Sequence, residues 1–293
     1  LRVPGSSILI TGASGSFGSA FLHQVCTTST ETWRRIICYS RDELKQSQLQ
    51  QTLTDPRLRW FLGDVRDLER LKLACRDVQV IVHAAALKQV PALEYNPTEA
   101  VKTNILGSMN VATAALECGV ERVLAVSTDK AVQAINLYGA TKACMERLLL
   151  AMNAHAGPAF AIVRYGNVAG SRGSVIPLWQ QQAAQGRPLT LTSGEMTRFW
   201  ITLPQAVAFV EQALSVMTGG ELFVPKMPSV RMAEVARCFS DAWDITGLRP
   251  GEKIHETVIA PHEAVVGLPS PYASDTNDWW LEGEALKAAV ACV

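Results

Sequence analysis

The sequence has no excess charge, no paired-cysteine motif and no apolar run long enough to cross a membrane. Lys+Arg and Asp+Glu each number 27, so net charge offers no basis for binding nucleic acid or an acidic membrane surface. The seven cysteines (26, 38, 75, 118, 144, 238 and 292) form no Cys-x-x-Cys pair. Most fall in apolar periodic stretches, as buried thiols of a reducing compartment do. Metal-ligand spacings, internal repeats and low-complexity tracts are missing too. The N-terminus lacks a basic-then-apolar signal pattern, and no stretch reaches transmembrane length. The expectation is a cytoplasmic protein without nucleic-acid or membrane partners and without a metal.

What is present is 293 residues, 48% apolar and 18% charged, enough for one large domain or two around a shared cleft. Short apolar runs at 7–11, 36–39, 59–62, 78–82, 123–126 and 160–163 alternate with helical periodicity, notably over 97–117 and 142–154. That alternation predicts an α/β, Rossmann, doubly wound parallel sheet whose ligands lie beyond the strand C-termini. After Asn167 the elements shorten. Residues 1–166 are therefore assigned to a dinucleotide-binding domain, and 167–293 mainly to a smaller, interleaved substrate domain. A return helix at about 203–217 belongs with the first.

Chemistry-bearing residues cluster at the strand ends. The first run leads into Gly12-Ala13-Ser14-Gly15-Ser16-Phe17-Gly18. Its glycines allow a tight turn and close approach of backbone to a pyrophosphate at a helix N-terminus. The second run ends in Ser40-Arg41-Asp42, with Lys45 nearby. An Arg there accommodates a 2′-phosphate and predicts NADP; Asp42 leaves NAD open. Asp64 and Val65 follow the third run, the former placed to meet an adenine amine. Ala84, Ala85 and Ala86 follow the fourth, small enough for backbone to pack beside a cofactor, with Lys88 and then Asn104 further on. Ser127-Thr128-Asp129-Lys130 ends the fifth, and Tyr138-Gly139-Ala140-Thr141-Lys142 comes next. On a helix Tyr138 and Lys142 share a face. An ammonium beside a phenol lowers a pKa of about 10 and makes the Tyr a base. His83 and His255 are expected to be structural.

These runs, with Arg-Tyr-Gly-Asn-Val (164–168), Gly-Ser-Arg-Gly-Ser-Val (170–175), Met-Thr-Arg-Phe-Trp-Ile-Thr (196–202) and Arg-Pro-Gly-Glu-Lys (249–253), resemble an extended short-chain dehydrogenase/reductase. More narrowly, they resemble the configuration-inverting UDP-N-acetylglucosamine 4,6-dehydratases. Gln133-Ala134 replaces the Asn-Pro usual in that family, and the chain after Ile259 is shorter than the family pattern. The resemblance implies an NADP-dependent lyase and a homo-oligomer acting on a UDP-sugar. Tyr138 would take the C4 hydroxyl proton, with Lys142 holding the nicotinamide ribose. Lys130 would be the C5 base, Asp129 the acid and Thr128 a hydrogen-bond partner of the C4 oxygen. To act as a base Lys130 must be neutral, so its pKa is expected to fall to about 7–8. Lys88, Asn167, Ser174, Val175, Arg198, Arg249 and Glu252 would contact substrate. The alternatives are a nucleotide-sugar 4-epimerase and a non-catalytic NADP-sensing protein.

Overall fold

Continuous β-branched runs, too apolar to face water on either side, make buried parallel strands. In the computed structural model, which describes residues 5–28, 33–263, 265 and 268–291, all six residues of β1 (Ser6–Thr11) are buried. Strands β2 (Trp33–Ser40), β3 (Leu58–Leu62), β4 (Val80–His83), β5 (Arg122–Thr128) and β6 (Ala159–Tyr165) join it. Across the sheet the order is Leu222–Phe223, β6, β5, β4, β1, β2, β3, all parallel. The order reverses between β1 and β4, which opens a crevice at their C-terminal ends.

Alternate residues of each strand serve opposite helical layers. Ile8 and Ile10 pack with Phe21, Val207 and Val210, from helices Ser16–Thr28 and Leu203–Val216. Leu9 packs instead with Leu71, Val111, Ala115 and Met145, from helices Leu68–Cys75, Gly107–Glu117 and Leu137–Ala151. A third core, around Trp179, Leu189, Trp200, Val235 and Leu286, belongs to the C-terminal part. There Thr197–Ile201 lies between Ser229–Arg231 and Asn167–Val168, and Leu189–Leu191 pairs with Trp243–Ile245.

The stretch 97–117 is helical throughout, as expected, in three segments: Pro97–Ala100, a π-helical turn Val101–Leu106, then Gly107–Glu117. Two elements depart from the periodicity reading. The helix expected from 142 begins at Leu137, because the Asn136 side chain caps it by accepting from Gly139 N–H. The seventh strand, Leu222–Phe223, is too short to carry a period. Six cysteines are free thiols; Cys292 lies outside the described residues.

Candidate active site

The glycine turn is built for close approach. Gly12 adopts φ +69°, and a Cβ there would lie 2.8 Å from the Ala85 nitrogen; no other residue lets the β1 turn abut the Ala84–Ala86 stretch. Gly15 N–H closes the turn on Gly12 O at 2.9 Å, and the 13-residue helix Ser16–Thr28 starts at once. Its first-turn N–H groups face the crevice end of β1, a ready anion site. Phe17 packs instead against the core below.

At the end of β2 the cations and acids divide their labour. Asp42 caps helix Glu43–Thr52 and pairs with Lys45; the buried Ser40 hydroxyl accepts from Gln46 Nε2 at 2.8 Å. Asp64, expected at the adenine, is gripped by the Arg66 guanidinium at 2.6 and 3.0 Å. Burial would raise the Asp64 pKa, but Arg66 outweighs it and holds the carboxyl low. Val65 is a core residue whose side chain supports Gly107. Arg41, half-exposed like Lys45, differs in having one long ion pair, to Asp64 at 3.8 Å.

The acid–base cluster forms where β5 ends. Thr128 closes the strand, and Asp129–Ala131 makes a single 3₁₀ turn. Asp129 is fully buried; its Oδ1 accepts from Thr128 Oγ1 at 2.9 Å and from Lys130 Nζ at 3.1 Å. Asn167 Oδ1 stands 3.5 Å from the same ammonium. Gln133, in place of the family's Asn, takes a left-handed φ of +46° in the following turn. Helix Leu137–Ala151 then brings Tyr138 back to the cluster: Gly139 lies against the Lys130 carbonyl so closely that any Cβ would overlap it.

Two electrostatic expectations are corrected. Lys142 does not stand beside the Tyr138 phenol: its Nζ donates to Val126 O at 2.7 Å and contacts Met145 Sδ at 3.0 Å. Burial pulls Lys142 down to about 8, against the opposing Glu146 charge. For Tyr138 burial dominates and raises the pKa, while the Lys130 ammonium and the Thr128 hydroxyl pull the other way. Lys130 is likewise not poised as a neutral amine. Burial lowers its pKa, yet Asp129 and Glu256 more than offset this and hold it charged.

Several of the residues expected at the ligands also make hydrogen bonds within the chain. Asn104, in the π turn, accepts from Leu87 N–H (2.8 Å) and donates to Leu87 O (2.9 Å) and Thr141 Oγ1 (3.0 Å). It thereby clamps the Ala84–Lys88 loop to helix Leu137–Ala151. Arg198, buried, spends its guanidinium on the carbonyls of Thr197, Ile254 and Lys253 at 2.7–2.9 Å. Arg249 and Glu252 close one turn on each other through Glu252 N–H to Arg249 O at 3.1 Å. Asn136 Nδ2 donates to Gly251 O at 2.7 Å, which sets this turn at the mouth of the site. Lys88 reaches Ser171 Oγ at 3.3 Å; burial and then the Lys130 charge depress its pKa. Ser174 precedes helix Val175–Ala184.

Glu256 and Arg172 escaped sequence reasoning, and His83 is structural, as expected. Glu256 lies 3.2 Å from Lys130 Nζ; the Glu-Lys-Ile-His-Glu run was its only signal. Arg172 crosses from the 170–174 loop to the glycine turn, its Nη1 donating to Ser14 O at 3.0 Å and its N–H to Ser16 Oγ at 3.1 Å. His83 lies in a buried chain. Ala85 N–H donates to Thr11 Oγ1 (3.2 Å), Thr11 Oγ1 meets His83 Nδ1 (2.7 Å), His83 Nε2 meets Ser108 Oγ (2.9 Å), and Ser108 Oγ donates to Asn104 O (2.7 Å). Since Ser108 and Thr11 each have one proton, the chain runs one way and requires the neutral Nε2–H tautomer. His255 also contacts a hydroxyl, Thr197 Oγ1 at 2.8 Å.

Residues 8–271 match the model of a family described as polysaccharide biosynthesis proteins. The chain belongs to that family. It is 46% identical over 266 residues to a UDP-N-acetylglucosamine 4,6-dehydratase (inverting) of Campylobacter jejuni, an alignment covering 89% of this chain and 79% of the relative. It is also 40% identical over 296 residues to a UDP-glucose 4-epimerase of Rickettsia conorii, covering 97% and 85%. Among solved structures, Pen from Bacillus thuringiensis superposes with a TM-score of 0.91 at 31% identity, over 100% of this chain and 99% of that one. The likeness to extended short-chain dehydrogenase/reductases noted from the motifs stands with these relatives.

The site fits a dinucleotide and a sugar. Of six buried side-chain polar atoms without a protein partner among the described residues, four belong here: Ser127 Oγ, Asp129 Oδ2, Ser174 Oγ and Glu256 Oε2. Such atoms are costly unless something else bonds them. No group of His, Cys, Asp and Glu among the described residues could hold a metal, and no described helix is long and apolar enough to cross a membrane.

Proposed function

We propose that the chain is an NADP-dependent UDP-N-acetylglucosamine 4,6-dehydratase that inverts C5, working in the cytoplasm as a homo-oligomer. The observation that carries the reading is the part-buried Asp129–Lys130 pair beside Tyr138. An oxidation alone needs a base at the C4 hydroxyl; elimination across C5–C6 needs a second base and an acid as well. The glycine turn would hold the pyrophosphate, Arg41 the 2′-phosphate, and Lys142 the nicotinamide ribose after leaving the Val126 carbonyl. When bound, the nicotinamide supplies reversible redox chemistry, C4 being oxidised first and C6 reduced last.

The chain's own residues do the rest. Tyr138 takes the C4 hydroxyl proton, aided by the Lys130 charge and the Thr128 hydroxyl. A ketone at C4 acidifies the C5 proton, which Lys130 removes once it has lost its own. Asp129, once it has taken up a proton from solvent, protonates the departing C6 hydroxyl. Lys88, Asn167 and the Arg249–Glu252 turn would hold the sugar and its diphosphate.

A second reading, a UDP-sugar 4-epimerase, is favoured by the 40% identical relative of that name; it leaves the Asp–Lys pair without a task. Incubation with UDP-N-acetylglucosamine and NADP⁺, followed by mass spectrometry and NMR of fresh product, decides. Loss of one water with L-arabino configuration is expected. An unchanged mass with C4 inverted supports the epimerase, and a D-xylo product at the earliest times removes the inversion while keeping the dehydration. Binding of NADP without turnover of any UDP-sugar would leave a sensor.

A further inference from the structure

Glu256 enters the catalytic centre from the C-terminal part of the chain, and no role above uses it. It is 3% exposed and immediately precedes the strand Thr257–Ile259. Its backbone is fixed on both sides, its N–H donating to Ser274 Oγ at 2.9 Å and its carbonyl accepting from Ser274 N–H at 2.8 Å. Oε1 lies 3.2 Å from Lys130 Nζ and 3.9 Å from Arg198 Nε.

An ammonium has three N–H donors and no lone pair. Lys130 uses two of them in hydrogen bonds, to Asp129 Oδ1 at 3.1 Å and Asn167 Oδ1 at 3.5 Å, and Glu256 Oε1 lies 3.2 Å from the same Nζ as an ion pair. Two carboxylates this close favour the charged ammonium over the neutral amine. Arg198, pinned by three carbonyls, stands too far off to take the place of Lys130 as the partner of Glu256.

We propose that Glu256 is a positioning residue that keeps Lys130 as an ammonium between two buried carboxylates, Asp129 and Glu256, and so sets the pH at which Lys130 can act as a base. Two anions face the ammonium, Asp129 from its own turn and Glu256 from the C-terminal part. Against them act burial, Arg198 from Thr197–Ile201, Lys253 from the preceding loop and Lys88 from the loop after β4. The Tyr138 phenol faces it from helix Leu137–Ala151. An opposite charge at this range moves a pKa by about one to three units. Activation breaks one Nζ–H bond, sends that proton to solvent and leaves the electron pair on Nζ. The pair then takes the C5 proton, and the C5–H electrons pass into the enolate of the C4 ketone. This last consequence rests on the dehydratase reading; the charge state does not.

The test uses the whole protein with isotope-labelled lysines. The Lys130 resonance is assigned by Lys130→Arg and followed against pH. In Glu256→Gln, which keeps the shape and removes the charge, the Lys130 midpoint is expected at least one unit below wild type, a tenfold larger acid constant. An unchanged midpoint overturns the proposal. Should the Gln variant fail to fold, Glu256→Asp withdraws the carboxylate; a midpoint between wild type and one unit lower supports the role, and no movement overturns it. The second measurement is deuterium incorporation at C5 against pH. Its acid limb should move to lower pH in Glu256→Gln by the same amount as the midpoint. A lower rate with an unmoved limb marks a merely structural residue. A shifted midpoint with no turnover of any UDP-sugar would sink the dehydratase reading and leave the role of Glu256 intact.

Discussion

The Gly139 α-carbon rests against the carbonyl oxygen of Lys130, with no room for a methyl group between them. Through this contact the first turn of helix Leu137–Ala151 registers on the Asp129–Ala131 turn, so Tyr138 and Lys130 share one pocket. The position of the phenol is thus fixed by the residue beside it.

Gly139→Ala should therefore be far worse than an ordinary helical substitution. Alanine is favoured over glycine in a helix by about 1 kcal/mol, but relieving an overlap with backbone costs roughly 1–3 kcal/mol or more. A fall in Tm of several degrees is expected, with turnover reduced more than cofactor binding. A variant as stable and active as wild type would show that the helix and turn are not rigidly registered.

Tyr138→Phe removes the proposed C4 base and little else. Turnover should fall at least about a hundredfold, the scale of a positioned proton transfer. Dinucleotide affinity, measured by titration calorimetry, should change only a few-fold, because the glycine turn and Lys142 remain. Turnover within tenfold of wild type would assign the C4 proton elsewhere.

The strands, the glycine turn and the Tyr–Lys helix were legible because each is local: a run of apolar residues, a φ only glycine supplies, a four-residue spacing. What the sequence concealed is long-range. Glu256 and Lys130 stand 126 positions apart in the chain yet 3.2 Å apart in space, and no local signal says that a distant Glu will reverse the expected shift of a Lys. Asn104 and Arg198 were legible as polar residues near the site, but not as struts, since that depends on which carbonyls the fold leaves unbonded. The spacing of Tyr138 and Lys142 was read correctly; the Lys142 ammonium nonetheless turns to Val126 O, one strand away.

His83 makes a pH prediction. It is buried, and burial first, then the Lys142 charge, lowers its pKa to about 3. The unfolded chain binds this proton below about 6.5, whereas the folded chain resists it until about 3. Folding stability from this group is therefore present above the unfolded value and lost as the pH falls through that window, by up to about 1.4 kcal/mol per unit. His83→Gln, which keeps a donor and an acceptor, should lower stability at pH 7 and flatten its decline between pH 6 and 4. Parallel wild-type and mutant curves in urea melts would show that other groups govern the acid limb.

Arg41 offers the cleanest test of the cofactor. Ser40, Asp42 and Lys45 are committed to bonds within the chain, and Asp64 is held by Arg66. Arg41 alone of this group is half-exposed with only a long contact, 3.8 Å, to lose. Its guanidinium matches a phosphate bidentately, and charged hydrogen bonds of this kind contribute roughly 1.5–3 kcal/mol each. Arg41→Ala should weaken NADP⁺ at least about tenfold, since one such bond already reaches that factor. NAD⁺, lacking the 2′-phosphate, should bind nearly as before, and Tm should hardly move because the ion pair is exposed and long. Calorimetric titration of both dinucleotides reads the difference directly. An equal loss for both would place Arg41 at the pyrophosphate or in the fold, and no loss for either would remove it from the cofactor site. Only a selective loss of NADP⁺ supports the 2′-phosphate assignment, and a salt dependence steeper for NADP⁺ than for NAD⁺ in wild type, flattened in the variant, should accompany it.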